Sequence, residues 1–309
     1  MVEKKPLLSI CIPTYNRAEY LEKSLESIIR QPEFHSDDVE VVISDNCSTD
    51  NTQELCQEYV EKYSNIHYFR NEVNIRDENF PTVISRANGN YRKLCNDTLI
   101  FKAGSLNFLL KVVKENQIEK PILFFYNLKN GLKKTSNDIN IFLRKISFWI
   151  TSITCFGVWE NDFIFTTESC NRNLWQVTFL VNNFIKNRKG IIYKHKLFEM
   201  QEVSNKDVSY GIFDVFYNNY LGIIKSFNEV SKKTIEYLEK DLLYHFFTFW
   251  LYKYDTTIKN YKVNNDEDFK KRLISTYNNM TYFNHYKIYF KYYKNKHKII
   301  EFVKSILSR

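Results

Sequence analysis

The sequence predicts an α/β protein: a mainly parallel sheet with helices on both faces over residues 1–205, followed by a helical region over 206–309. Three observations predict it. Short apolar runs alternate with amphipathic helical stretches as far as residue 127. A polar cluster rich in Asn and Asp follows the apolar runs. Glycine ends at Gly222, and long helical stretches such as Phe213–Phe227 and Lys232–Tyr254 fill the remainder.

The elements follow in order. Leu7–Pro13 (LLSICIP) reads as a buried strand. Asn16, with Glu19 three residues on, has the spacing of a capping box, and Leu21, Leu25, Ile28 and Ile29 give the next helix one apolar face. Val39–Asp45 is the second strand. Asp50 is placed to cap a second helix whose buried face is Leu55, Tyr59, Val60 and Tyr63. Ile66–Arg70 is the third strand, and a short helix near Asn79–Ala87 is stopped by Gly89. Tyr91–Cys95 is the fourth strand, Leu106, Leu109, Leu110 and Val113 mark another helix, and Pro121–Asn127 is a fifth strand. The domain boundary is expected near Ser204–Gly211.

Parallel sheets of this kind bind ligands outside the carboxyl ends of their strands. The candidate functional residues are therefore Thr14–Arg17, Asp45–Asp50, Asn71–Arg76 and Asn96–Thr98.

Composition excludes several classes. The 309 residues are 44% hydrophobic and 26% charged, which fits a globular protein rather than a disordered or fibrous one. The six cysteines show no CxxC or CxxxC spacing, which argues against a zinc site and for a reducing compartment. The amino-terminal apolar run is too short for a signal peptide. The longest uncharged stretch, Ile146–Trp159, has 14 residues, short of a membrane span. The expected location is cytoplasmic, peripheral on the inner face of the membrane if the tail binds lipid. That tail, Thr281–Arg309, carries seven Lys/Arg against one Glu. Its aromatic and apolar side (Phe283, Tyr286, Ile288, Phe290, Tyr293, then Ile300, Val303, Ile306 and Leu307) suits either an anionic membrane surface or packing on its own domain.

LSICIPTYNRAEYLEKSLESI followed about 30 residues later by VVISDNCSTDNT resembles the start of the family-2 glycosyltransferases, which have the GT-A fold. The resemblance extends through NEVNIRDENF and NGNYRKLCNDTLIFKAGSL, covering residues 7–127. FDVFYNNYLGIIKSF further on is similar to sugar transferases of bacterial surface polysaccharide synthesis. The resemblance implies an inverting transfer from a nucleotide-sugar donor, with UDP favoured, to a glycan or lipid-linked glycan acceptor. It places Pro13, Thr14, Tyr15 and Arg17 at the nucleoside, Asp45 at the base edge, and Asn74 and Arg76 on the donor rim. Asp97 is then the acid facing ribose and metal, while Leu99 stands where the family's metal-binding acid is expected. A divalent metal, Mg or Mn, is thus left open. It could be held by Asp97, water and the diphosphate, or be replaced by Arg76, Arg92, Lys93 or Lys102, or the activity could be lost. For the general base the resemblance points to an acid preceding the helix Leu174–Asn187, with Glu168 first and Asp162 second; a solvated loop acid is the other reading of either. His195, alone between lysines, is assigned no role.

No nucleic-acid module accompanies the basic tail, so no nucleic-acid partner is expected. Homo-oligomerisation stays open. The alternative reading of the whole chain is a catalytically impaired nucleotide-sugar-binding protein on the same fold. A nucleotidyltransferase lacks support because no Gly-rich phosphate loop with a following Lys is present.

Overall fold

A computed structural model describes residues 5–128, 131–162, 174–186, 189–203, 211–257 and 266–307. It contains a five-stranded sheet of order β3-β2-β1-β4-β8. Strand β1 (Leu8–Thr14) lies at its centre, and all seven residues are buried, as expected of a parallel strand covered on both faces. β2 (Val39–Asp45), β3 (Ile66–Arg70) and β4 (Tyr91–Leu94) run parallel to it. Helices α1 (Ala18–Ile29), α2 (Thr52–Lys62) and α3 (Asn79–Arg86) form the crossovers.

The register aligns the ends of three strands. Thr14 pairs with Asp45, and Asp45 with Arg70, so β1, β2 and β3 stop level. β4 pairs with β1 only from Leu8↔Tyr91 to Cys11↔Leu94. The chain leaves β1 towards β2 and β3 on one side and is joined by β4 on the other. The order therefore reverses between β1 and β4, where a crevice forms at the carboxyl ends.

Helix α1 buries Leu21, Leu25 and Ile28 as its periodicity predicts. In α2 the buried stripe is Thr52, Cys56 and Tyr59, while Val60 is exposed. Leu55 and Tyr63 pack part-buried against the same core, so of the expected face only Val60 turns to solvent. Helix α4 (Ser105–Asn116) buries Leu106, Leu109, Leu110 and Val113. Each such side chain contributes roughly 1.5–3 kcal/mol of burial.

The predicted fifth strand does not join the main sheet. Strand β5 (Leu99–Phe101) pairs antiparallel with β10 (Phe198–Met200), and β6 (Ile122–Tyr126) belongs to a separate sheet of order β6-β9-β7, with β7 at Leu132–Ser136 and β9 at Gly190–Lys194. Helices α5 (Ile139–Ile146) and α6 (Trp175–Ile185) precede β9. The free edge of β4 is taken instead by the antiparallel β8 (Gly157–Trp159). A Cβ on Gly157 would lie 2.5 Å from the Arg92 carbonyl, so glycine permits this approach. Trp159 then stacks edge-on against Tyr91 with ring centroids 4.8 Å apart, and its Nε1–H donates to the Pro121 carbonyl.

Contacts group the chain into two compact units, Met1–Phe142 with Trp149–Val203, and Leu143–Phe148 with Ser204–Arg309. The second is helical: a π-helical turn (Asp214–Tyr220), α7 (Leu221–Lys225), α8 (Lys232–Asp241), another π-helical turn (Leu242–Phe247), α9 (Thr248–Thr257), α10 (Asp266–Tyr277) and α11 (Phe283–Leu307). Its core is aromatic, with Phe213, Phe247 and Phe269 in mutual ring contact. Ser231 caps α8 by accepting from the Thr234 N–H. The single apolar side expected for the tail is divided by the helical period. Phe283 and Tyr286 are buried within the unit and Tyr293 meets Tyr252, whereas Ile288 and Tyr292 project outward. No helix among the described residues is long and apolar enough to cross a membrane.

Candidate functional site

The crevice between β1 and β4 is crossed by one buried carboxylate. Asp97 follows β4 and is 2% exposed. Its Oδ2 accepts from the Thr14 hydroxyl at 3.0 Å, and its Oδ1 accepts from Arg17 Nη1 at 3.0 Å. Burial pushes the Asp97 carboxyl above the ordinary range, opposed by the Arg17 charge and by both hydrogen bonds. Arg17 is the residue immediately before α1, with its side chain 39% exposed. Tyr15 is exposed beside it, and Pro13 is buried in β1. The structure therefore brings Thr14, Tyr15, Arg17 and Asp97 to one rim.

The turn after β1 is tied to the turn after β2. Asn16 adopts a left-handed backbone (φ 51°), which Asn tolerates better than most residues. Its N–H donates to Ser48 Oγ at 2.9 Å, and its Oδ1 accepts the Thr49 N–H at 2.7 Å. Asp50 takes the Ala18 N–H on one oxygen and the Thr52 N–H and hydroxyl on the other. The predicted Asn16–Glu19 capping box is thus corrected. Asn16 reaches across to the second turn, and Asp50 receives the first N–H of both α1 and α2.

Asp45 is fully enclosed. Oδ1 accepts the Ser48 N–H at 2.9 Å, and Oδ2 accepts the Tyr68 hydroxyl at 2.8 Å with Arg70 Nε at 3.5 Å. Burial and the bond to Asp45 raise the Tyr68 phenol. Arg70 also donates to the Ser48 carbonyl and the Cys47 sulfur. Asp45 was expected at the base edge. Its oxygens order the turn after β2.

The third rim segment hangs from a buried polar network. Asn46 Nδ2 donates to Asn74 Oδ1 at 2.8 Å and to the Arg76 carbonyl, while its Oδ1 accepts the Ile75 N–H. Asn71 Nδ2 reaches Asn46 Oδ1, and Asn71 Oδ1 accepts from Arg86 Nη2. Arg86 also donates to Ser44 Oγ, which donates to Asn79. Asn74 and Arg76 are thereby held exposed at the rim, Arg76 with φ 52°. Sequence reasoning missed Tyr68, Arg70, Asn79 and Arg86, and it named Asn46, Ser48 and Asn71 only as members of the rim segments. The available signal was the recurrence of Asn just past each strand end, where Asx side chains bond their own turns.

Leu99 belongs to the core and pairs with Met200 in the β5–β10 ladder, so position 99 does not face the crevice. Three of the four basic candidates are engaged elsewhere. Arg92 donates to the Gly89 and Ile84 carbonyls and approaches Glu160. Lys93 is fully buried, bonded to the Leu94 and Thr154 carbonyls and set between the Phe125 and Phe198 rings. Lys102 pairs with Glu199. Glu168 lies outside the described residues; Asp162 ends a short turn after β8. His195 stacks on Phe108 at 4.0 Å.

Among the described residues the donor set forms no all-protein cage for a divalent cation. Such a cation takes six or more oxygens. Asp97 is the carboxylate in the crevice, and both its oxygens are used by Thr14 and Arg17. Among the described residues no three His, Cys, Asp or Glu side chains gather into a ligand group.

Comparison with known proteins agrees with this architecture. Over 87 residues the chain is 51% identical to the abequosyltransferase RfbV of Salmonella typhimurium, covering 28% of this chain and 26% of that protein. The chain thus spans about a quarter of the length of that relative. Over 234 residues it is 26% identical to a GalNAc(5)-diNAcBac-PP-undecaprenol beta-1,3-glucosyltransferase of Campylobacter jejuni, covering 71% of this chain and 72% of that one. Among solved structures, S. aureus TarS 1–349 in complex with UDP-GlcNAc superposes with a TM-score of 0.57 at 18% identity, over 82% of this chain and 76% of that chain. The model of the family described as glycosyl transferase family 2 matches residues 9–167, just over half of the chain, and the chain belongs to that family.

Proposed function

We propose that the chain transfers a sugar, with inversion, from a nucleotide-sugar donor to a glycan or lipid-linked glycan acceptor in bacterial surface polysaccharide synthesis. The Campylobacter jejuni relative, a glucosyltransferase named for an undecaprenol-linked glycan, supports that class of acceptor. A UDP-sugar is the favoured donor, in keeping with the UDP-GlcNAc complex of the TarS neighbour. The observation that carries the reading is the meeting of Thr14, Arg17 and Asp97 across the switch point between β1 and β4.

In this reading Tyr15 and Asp45 meet the base, Asp97 faces the ribose, and Asn74 and Arg76 border the donor. The acceptor hydroxyl attacks the anomeric carbon and the bond from that carbon to the phosphate oxygen breaks. A nucleoside diphosphate leaves, and the hydroxyl proton passes to a carboxylate, for which Glu168 is the first choice and Asp162 the second. Residues 206–309 would serve acceptor, membrane or oligomer contacts.

Thermal denaturation against UDP, GDP, CDP and TDP tests it. The correct diphosphate at a hundred times its Kd should add about 2.7 kcal/mol. The matching sugar nucleotide should be hydrolysed slowly, and more slowly still in Asp97→Asn. A folded protein stabilised by none of the four sinks the proposal. Stabilisation without any nucleotide release would favour the impaired binding protein instead.

A further inference from the structure

We infer that the site compensates the donor diphosphate without a protein-held divalent cation, the Arg17 guanidinium standing where that cation would meet Asp97. This rests on the donor-site reading above and adds the identity of the compensating charge.

Asp97 is the starting point. A metal bound to either of its oxygens would have to displace Arg17 Nη1 or the Thr14 hydroxyl, each at 3.0 Å. If Arg17 stayed, a divalent ion and a guanidinium would crowd one carboxylate and repel each other at low dielectric. The positions after Asp97 bring no further carboxylate. Thr98 is buried, and the Leu99 side chain lies in the core. Among the described residues the ion would thus have one carboxylate ligand at most.

Arg17 is built for the alternative. Among the described residues its guanidinium has one polar partner, Asp97. One of its five N–H donors points there, leaving four at a partly exposed position beside the crevice. The ion pair fixes the plane of the fork, and a planar fork matches phosphate oxygens two at a time. Its charge persists at any working pH. Arg92 and Lys93 cannot substitute, because both are buried and bonded to backbone carbonyls.

Isothermal titration of UDP, GDP, CDP and TDP, and of the four parent nucleosides, decides it. Wild-type protein should bind its diphosphate with EDTA as tightly as with Mg²⁺ or Mn²⁺, within about twofold. Arg17→Gln should lose about tenfold to a hundredfold more in diphosphate affinity than in nucleoside affinity, and Arg17→Lys should fall between. Circular dichroism checks that both variants fold, and the wild-type metal comparison needs no variant. Affinity that collapses in EDTA and returns with Mg²⁺ or Mn²⁺ overturns this inference while leaving the donor reading intact. So does an Arg17→Gln protein that binds the diphosphate like wild type. Absence of binding under every condition overturns both.

Discussion

Asn16 accepts the backbone N–H of Thr49 at 2.7 Å, which fastens the turn after β1 to the turn after β2. That bond is available because Asn16 sits in the left-handed region, aiming its amide away from its own helix. Asn16→Gly keeps that backbone and loses the bond, whereas Asn16→Ala loses the bond and adds roughly 1–2 kcal/mol of strain. Urea unfolding should therefore rank wild type above Gly above Ala. Both variants should weaken nucleoside binding more than any change of similar size on the outer face of α2. Equal stability of all three proteins would disprove the lacing.

The alternation of strands and helices, and the rim at which they end, were legible because each of β1 to β4 is followed by a turn-forming Asn. The partners of those turns were not. Asn16 reads as a capping residue when only its near neighbours are considered, yet its partner is 33 residues away. Asp45 reads as an acid at a strand end, and the Tyr68 and Arg70 partners that enclose it come from the neighbouring strand. Short strands escape for a similar reason. The three residues of β8 carry no period, and their place is set by Gly157 fitting against Arg92 and Tyr91.

Leu99 gives a second prediction. Placing Asp there would bury a carboxylate among apolar neighbours rather than present it to the crevice. Leu99→Asp should cost about 3 kcal/mol or more, since the transfer penalty adds to the lost packing. It should also gain no affinity for Mn²⁺. Leu99→Ala should lose about 2–4 kcal/mol and keep the same nucleotide preference. Thermal denaturation with and without Mn²⁺ measures both. An Asp variant of normal stability that binds Mn²⁺ would show that position 99 does face the donor.

Away from the site, Glu40 joins three strands and a turn. It is buried, accepts from Ser9 Oγ at 2.6 Å and from the Asn88 and Gly89 N–H groups, and lies 3.4 Å from His67. Burial works to raise the Glu40 carboxyl, but His67, Ser9 and the two N–H groups outweigh it and hold it down to about 2. The hydrogen bond to Glu40 raises His67 above its usual 6.5, against the pull of burial. The lowered carboxyl stabilises the fold above its unfolded value of 4.5 and loses that contribution as pH falls towards 2. The raised imidazole stabilises below 6.5 and loses its share as pH climbs through its folded value. Glu40→Gln should thus cost about 2 kcal/mol near pH 6 and progressively less in acid. A pH series of midpoints for wild type, Glu40→Gln and His67→Gln checks this, and parallel curves would refute it.

The tail calls for a finer experiment than truncation. Because Phe283 and Tyr286 are buried in the second unit and Thr248 Oγ1 meets the Tyr286 hydroxyl, deleting residues 281–309 would remove part of a core. Membrane binding, if α11 provides it, must use the outward face where Ile288 and Tyr292 stand one turn apart, beside Lys287 and Lys291. Each lysine near an anionic surface contributes about 1 kcal/mol. Lys287→Gln with Lys291→Gln should therefore weaken cosedimentation with anionic vesicles by roughly thirtyfold. Ile288→Ser with Tyr292→Ser should weaken it further by removing the apolar contact. Ile288 and Tyr292 are exposed, so replacing them should leave the thermal midpoint in place, whereas Lys287 lies over the Phe283 ring at 5.0 Å and its loss should cost about 1 kcal/mol at most. Unaltered cosedimentation in both double variants would remove α11 as a membrane contact and leave its basic charge to solvent.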